Sequence, residues 1–252
     1  MAQAILRTVQ LTKRFGGLNA VDNVDFDIAE GELVAVIGPN GAGKTTFVNL
    51  LAGALQPDGG DVIYAGTSIS SRPVHARAMS GITRSFQIAS IFPDLTVIEN
   101  VMIAAQAHAG HSFSFWRPVH KESALRATAM ECLTSLGLQG HAHHRPARLL
   151  SHGEKRLLEI AMALASKPRV LLLDEPMAGL GIEEARHMIG FIRKLKSDYT
   201  ILLVEHDMDA VFALADRIIV LASGAVVATG TPDEVRVDPE VRRAYLGDDE
   251  DV

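Results

Sequence analysis

Cysteine is all but missing from this sequence: Cys132 stands alone in 252 residues. An internal disulfide is excluded, and because Cys132 falls in an apolar helical pattern it reads as a buried, inert thiol suited to a reducing compartment. Long hydrophobic runs are missing too. No stretch approaches the roughly 20 apolar residues that a membrane-crossing helix requires, and residues 1–15 lack the apolar centre of a secretion signal. A role at a membrane would therefore be borrowed from a membrane-embedded partner. Charge of one sign is not in excess either: the formal −6 is spread along the chain, apart from the solvated run Asp248, Asp249, Glu250, Asp251. Nothing favours nucleic acid as a partner. Internal repeats and low-complexity tracts, that acidic tail aside, are absent.

What is present is enough apolar content, 48%, to bury a substantial core in one compact domain with an inserted lobe. Apolar patterning predicts strands at 5–11, 24–28, 33–37, 62–64, 82–86, 170–173, 201–204, 218–221 and 226–229, with helical patterns between most of them. Such alternation predicts an α/β fold, a mostly parallel sheet with helices on both faces. Between about residues 96 and 165 the strand signals give way to helical ones, interrupted at 110–118 and 137–146. That segment, 96–165, is expected to be an inserted helical lobe, and 1–95 with 166–252 the remainder of a single domain.

The sharpest chemical feature follows the strand 33–37. Gly38, Pro39, Asn40, Gly41, Ala42, Gly43, Lys44 and Thr45 match G-x-x-x-x-G-K-[ST] at every fixed position. Gly41 and Gly43 let the backbone wrap a phosphate with its N–H groups, while the next helix presents its positive end. Lys44 can reach β- and γ-phosphates, the Thr45 hydroxyl can ligate Mg²⁺, and Thr46 can touch the α-phosphate. A chance glycine-rich turn is the competing account, and the chain's own residue frequencies put it at roughly one accidental match in two hundred such sequences. Asp174 and Glu175 end a second apolar strand. Asp174 suits Mg²⁺ through its water shell, and Glu175 suits the orientation and deprotonation of an attacking water, worth roughly 10²–10⁴-fold in rate for a general base. By itself, an Asp-Glu turn before Pro176 is common in α/β proteins.

Leu150, Ser151, His152, Gly153, Glu154, Lys155 and Arg156 precede an amphipathic stretch. Ser151 with Glu154 three residues on is a capping box that could start any helix. The same residues resemble the signature of ABC ATPases, and the resemblance extends over nearly the whole chain. It implies a P-loop NTPase core of the RecA-like type, with a mostly parallel sheet, an antiparallel β subdomain and an inserted ABC helical subdomain carrying the signature. It also implies that Ser151 and Gly153 face the γ-phosphate of ATP held by a second ATPase subunit. By the same resemblance Phe15 stacks on adenine, Gln87 senses Mg²⁺ and the attacking water, and His206 contacts the γ-phosphate, with Asp207 the N-cap of the following helix. Each has a plainer reading: a strand-end core aromatic, an ordinary glutamine, a loop histidine.

Two positions depart from the family pattern. His152 stands where glycine is usual, and Gly181 where an aspartate commonly crosses to the partner.

Finer stretches are similar to the ATP-binding subunits of branched-chain amino acid importers: Lys13-Arg14-Phe15-Gly16-Gly17, residues 92–100, 158–161 and 178–180, Val204-Glu205-His206-Asp207-Met208-Asp209 and the ending 244–247. That similarity implies ATP and Mg²⁺ as cofactors, and a place on the cytoplasmic face of the inner membrane. The implied partners are a second ATPase subunit (identical or different), two membrane permeases and, indirectly, an external solute-binding protein. Importers of urea or amides and a lipopolysaccharide-exporting ATPase share parts of the pattern. A soluble ABC ATPase of repair or translation would normally bring coiled-coil insertions or two cassettes, and a non-hydrolysing nucleotide-binding module would not need Lys44, Asp174, Glu175 and His206 together. Ile88, Ile91, Phe92 and Leu95, within 87–101, are expected to meet a short permease helix, with intramolecular packing as the alternative. His141, His143 and His144 read as a solvated loop and not a metal site. Phe113, Phe115 and Trp116 read as local packing with partner contact open.

Overall fold

The structure, a computed structural model, describes residues 4–85, 91–108, 123–137 and 143–246. The expectations for Gln87, Ile88, Phe113, Phe115, Trp116 and His141 fall outside them.

Two sheets form. In the first, β1 (Ala4–Phe15) and β2 (Leu18–Ala29) make an antiparallel hairpin, joined by β4 (Gly59–Tyr64) and β5 (Thr67–Ser68) in the order β2-β1-β4-β5. The second holds β3 (Leu33–Ile37), β6 (Ile82–Arg84), β7 (Val170–Asp174), β8 (Thr200–Val204), β9 (Arg217–Ala222) and β10 (Ala225–Gly230). Its order is β10-β9-β3-β8-β7-β6, parallel throughout except for the antiparallel edge strand β10. This is the mostly parallel sheet that the sequence predicts.

The central strands carry apolar residues at almost every position because both of their faces are covered. Leu171 and Leu173 of β7 face the helical side, while Val170 and Leu172 face the side where the antiparallel sheet lies. Helices α1 (Lys44–Ala52) and α2 (Val74–Ser80) belong to the first half of the chain. Where strand signals vanish, α3 (Val97–His108), α4 (Ser123–Ser135) and α5 (His152–Leu164) pack against one another. Next, α6 (Ile182–Leu195) buries Met188, Phe191, Ile192 and Leu195, a stripe at helical spacing. The C-terminal part adds α7 (Met208–Leu214), α8 (Pro232–Val237) and α9 (Pro239–Leu246).

Three expectations need correction. The strands anticipated at 5–11 and 24–28 run longer in both directions, because hairpin pairing carries the backbone through polar residues such as exposed Arg14 and half-buried Asn19. The two-residue strand β5 was not foreseen, since Thr67 and Ser68 are both exposed and carry no apolar signal. His143, expected in a solvated loop, is buried, and the neighbouring His144 is exposed. His143 starts a tight turn just before the isolated bridge between Thr96 and Pro146, which draws this stretch against α3.

Candidate functional site

The parallel register sets the site. Val36 of β3 and Asp174 of β7 both align with Val204 of β8, so the segments that leave these strands emerge along one edge of the sheet. Open α/β sheets place their ligands at this carboxyl edge.

The loop after β3 is built around backbone that only glycine can supply. Gly38 and Gly43 have φ of 151° and 99°, and a Cβ on either would lie 2.1 Å from a carbonyl oxygen, that of Leu221 or of Ala20. The loop wraps so closely that no side chain fits between it and its neighbours. Helix α1 then begins at once, with Gly43 as its N-cap and no side chain capping it, which leaves its terminal N–H groups facing the loop. Lys44 is buried at 8% exposure, and its Nζ donates to the carbonyls of Gly38 at 2.7 Å and Pro39 at 3.0 Å. Burial pulls the Lys44 ammonium below its ordinary pKa, while Glu175 and then Asp174 pull it back up. The charged lysine thus has carboxylates across the site.

A cleft of about 470 Å³ opens above this loop, bounded by Phe15, Leu18 and Ala20 of the hairpin, residues 40–46, Glu175 and Ser223. Phe15 is 48% exposed, so it is not the core aromatic of the plainer reading; its ring stands at the cleft with Lys13 Nζ 5.7 Å from its centroid. Thr45 belongs to the cleft wall. Glu175 holds a left-handed backbone, φ 49°, fastened by its N–H to the Val204 carbonyl at 2.8 Å. A bulky residue keeps such a conformation only where its surroundings impose it.

Past β8, His206 projects outward with its side chain 64% exposed, and Asp207 caps α7 through a 3.1 Å bond from the Ala210 N–H, as expected. Behind His206 lies a residue that the sequence did not single out. Glu205 is fully buried and accepts from the backbone N–H groups of Met177 at 2.7 Å, His206 at 3.1 Å and Asp207 at 3.5 Å. Burial raises its pKa, against the lowering by those three donors. Glu205 therefore ties the turn after Asp174 and Glu175 to the backbone of His206. Arg84 was also missed. Its guanidinium pairs with Asp174 and with the amide oxygen of Asn49 on α1. The available signal was an arginine and a glutamate placed at the ends of apolar strands, where a charge requires a partner.

Ser151 and Gly153 are not among the described residues that line the cleft. They start α5 elsewhere on the chain, in a complete capping box: Ser151 Oγ accepts from the Glu154 N–H at 3.2 Å, and Glu154 accepts from the Ser151 N–H at 2.8 Å. This turn packs on the segment after β7. A Cβ on Gly153 would meet Glu184 at 2.8 Å, and one on Gly179 would meet His152 at 3.2 Å. Gly181 begins α6 and donates its N–H to Glu184 at 3.2 Å. Among the residues before α3, Phe92 is 46% exposed, Ile91 packs on the core, and Leu95 is half-buried. Asn100, wholly buried, clamps that turn by exchanging hydrogen bonds with the Phe92 backbone at 2.8 and 3.1 Å.

Chemically, the cleft offers donors shaped to phosphate oxygens and a hard oxygen ligand on Thr45, while Asp174, not itself in the cleft wall, precedes Glu175 at the end of β7 and supplies a carboxylate; such oxygen donors suit Mg²⁺ with most of its coordination left to water and phosphate. Among the described residues no three His, Cys, Asp or Glu side chains group to hold a metal ion. No helix of the described residues is long and apolar enough to cross a membrane.

Known proteins resemble the chain over nearly its whole length. The ABC transporter family profile matches residues 21–178, and that of the branched-chain amino acid ATP-binding cassette transporters matches residues 225–251. The chain is 41% identical to the high-affinity branched-chain amino acid transport ATP-binding protein BraF of Pseudomonas aeruginosa, over 98% of this chain and 100% of that one. It is 39% identical to LivG of Escherichia coli K12, a protein described in the same words, again over 98% and 100%. Among solved structures, a nucleotide-free ATP-binding cassette from an ABC transporter superposes with a TM-score of 0.86 at 31% identity, over 97% of this chain and all of that one. A dimeric cassette in a post-hydrolysis state bound to ADP and Pi gives 0.75 at 26% identity, over 90% and 98%.

Proposed function

The chain belongs to the ABC transporter family, and from that premise we propose that it is the ATP-binding and ATP-hydrolysing subunit of an importer for branched-chain amino acids. The observation that carries the chemistry is the meeting, at one sheet edge, of the phosphate loop, the Asp174–Glu175 pair and the His206 segment. The solute rests on relatives such as BraF and LivG, which span the same length.

In this reading Phe15 stacks on adenine, and the N–H groups of residues 38–46 with the positive end of α1 receive the triphosphate. Lys44 exchanges the carbonyls of Gly38 and Pro39 for β- and γ-phosphate oxygens. Thr45 and Asp174, with Gln87, would hold Mg²⁺, which would supply neutralisation of the charge that builds on the phosphate oxygens. Glu175, held by its constrained backbone, accepts the proton of the attacking water, and His206 contacts the γ-phosphate.

Ser151 and Gly153 lie away from the chain's own cleft, and their helix end serves ATP held by a second ATPase subunit. Residues 96–165 form the inserted lobe that carries this surface. Two permeases supply the membrane path and an external solute-binding protein delivers the solute, with this chain on the cytoplasmic face.

Replacing Glu175 by Gln tests the reading. ATP binding is expected to persist while hydrolysis by the assembled complex falls by about 10²–10⁴-fold; wild-type hydrolysis in that variant would remove Glu175 from the role. For the solute, cells lacking this chain should lose uptake of radiolabelled leucine, isoleucine and valine. Intact uptake of these with loss of urea or amide uptake would reassign it.

A further inference from the structure

Arg84 ends β6 with a side chain only 1% exposed, and the mechanism above leaves it without a role. Its guanidinium bridges two elements: Nη1 donates to Oδ1 of Asn49 on α1, and Nη2 to Oδ2 of Asp174 at the end of β7. Asn49 lies four residues beyond Thr45 in the same helix, so the two share a face one turn apart. Arg84 therefore joins the helix that bears the threonine hydroxyl to the strand that bears the carboxylate. The Asp174 side chain is itself only 14% exposed, which keeps water from screening the pair.

We propose that Arg84 is a positioning residue for Mg²⁺: it fixes the Asp174 carboxylate and, through Asn49, the Thr45 face of α1 in the mutual geometry that the cation demands. This rests on the assignment of Thr45 and Asp174 to Mg²⁺ made above. Mg²⁺ tolerates little departure from octahedral geometry. Arginine fits the task because a planar guanidinium offers two arms at a set angle, where lysine offers a point charge. The sign of the effect separates orientation from mere charge. A bare positive charge beside a cation site repels the cation, so its loss would tighten Mg²⁺ binding. An orienting group does the reverse, and removing such outer partners typically weakens metal binding by about 10–100-fold.

The full chain carries the test, as Arg84→Met, Arg84→Lys and Asn49→Ala, with Asp174→Asn for reference. Binding of N-methylanthraniloyl ATP is followed by fluorescence in EDTA and then as Mg²⁺ is titrated in. Asp174→Asn and Arg84→Met are each expected to raise the half-saturating Mg²⁺ concentration by about 10–100-fold, with Arg84→Lys and Asn49→Ala raising it less. Affinity in EDTA should stay within about threefold for the Arg84 variants. Circular dichroism melting identifies a variant that does not fold, and Arg84→Lys then bears the test alone. An unchanged or lowered Mg²⁺ requirement in the folded Arg84 variants, alongside a raised one in Asp174→Asn, overturns the positioning role and leaves the ligand assignment standing. Equal weakening with and without Mg²⁺ also overturns it, since that is what a purely structural residue would give. If Asp174→Asn leaves the Mg²⁺ requirement unchanged, the ligand assignment itself falls and the role of Arg84 with it.

Discussion

Burial pushes the Cys132 thiol up to about 11, with Glu131 adding to the rise and Lys167 opposing it. The thiolate is the reactive form, so at pH 8 about one molecule in a thousand is poised to react. Ellman's reagent should therefore label native protein slowly at pH 8 and completely in urea, with the native rate climbing about tenfold per pH unit toward pH 11. A rate that levelled off near pH 9 would reveal an ordinary exposed thiol. The sign of the stability effect follows. The folded protein keeps between pH 9.0 and about 11 a proton that the unfolded chain has lost, so this group's contribution to stability falls as pH rises through that window. The sequence marked the helix that carries Cys132, but the thiol expected to be buried is half-buried, and the surroundings that raise its pKa are assembled partly by other elements that fold against that helix. Lys44 was legible in sequence because its bonds to the Gly38 and Pro39 carbonyls are set within one loop. Arg84 and Glu205 were not legible, because their partners are Asn49 and Asp174 in one case and Met177 in the other, brought close only by folding. Gly43 stands between: its motif marks it, but the Ala20 carbonyl that forbids a side chain there comes from the distant hairpin.

Helix α5 allows two roles of Ser151 to be separated, the cap that it makes and the contact to a partner's phosphate proposed for it. Ser151→Ala removes the acceptor for the Glu154 N–H and should cost about 1 kcal/mol, read as a lowered urea midpoint at unchanged slope. Ser151→Asp keeps a good cap and adds a negative charge where the helix end is positive, so stability should hold. The same charge would face the triphosphate of a partner. ATP-dependent association, followed by sedimentation, is therefore expected to vanish in Ser151→Asp despite its intact fold; survival of association and hydrolysis would reduce Ser151 to a cap. Elements were legible to the extent that their own residues carry the pattern. Wholly buried β3 and β8 announce themselves by continuous apolar residues, and α6 by its stripe. The ends of β1 and β2 do not, since residues such as Arg14 and Asn19 are extended by pairing across the hairpin and not by burial.

At the scale of the whole molecule, the proposed function makes the cleft, which Ser151 and Gly153 do not line, one half of a site and the start of α5 the other half. In that proposal, two copies related by a two-fold axis would complete two sites, each with the loop of one subunit and the signature of its partner. Lys44→Ala damages the first half and Ser151→Asp the second, so either variant alone has no intact site. Mixed in equal amounts and assembled on the proposed permeases, which would hold two subunits together without ATP, half of the dimers pair one variant with the other, and one site in each such dimer joins the undamaged loop to the undamaged signature. About a quarter of all sites, and of wild-type ATPase activity, should return on mixing if partners assort freely. A self-contained cleft predicts something different: Ser151→Asp would be active alone, and mixing would add nothing. Gly181 sharpens the measurement. It begins α6 with no side chain to reach across, and the loop that it ends lies against His152 at Gly179. Adding Gly181→Asp to both variants should change the rate at which the mixture hydrolyses ATP without changing the fraction of sites restored, because that fraction is set by which halves are intact.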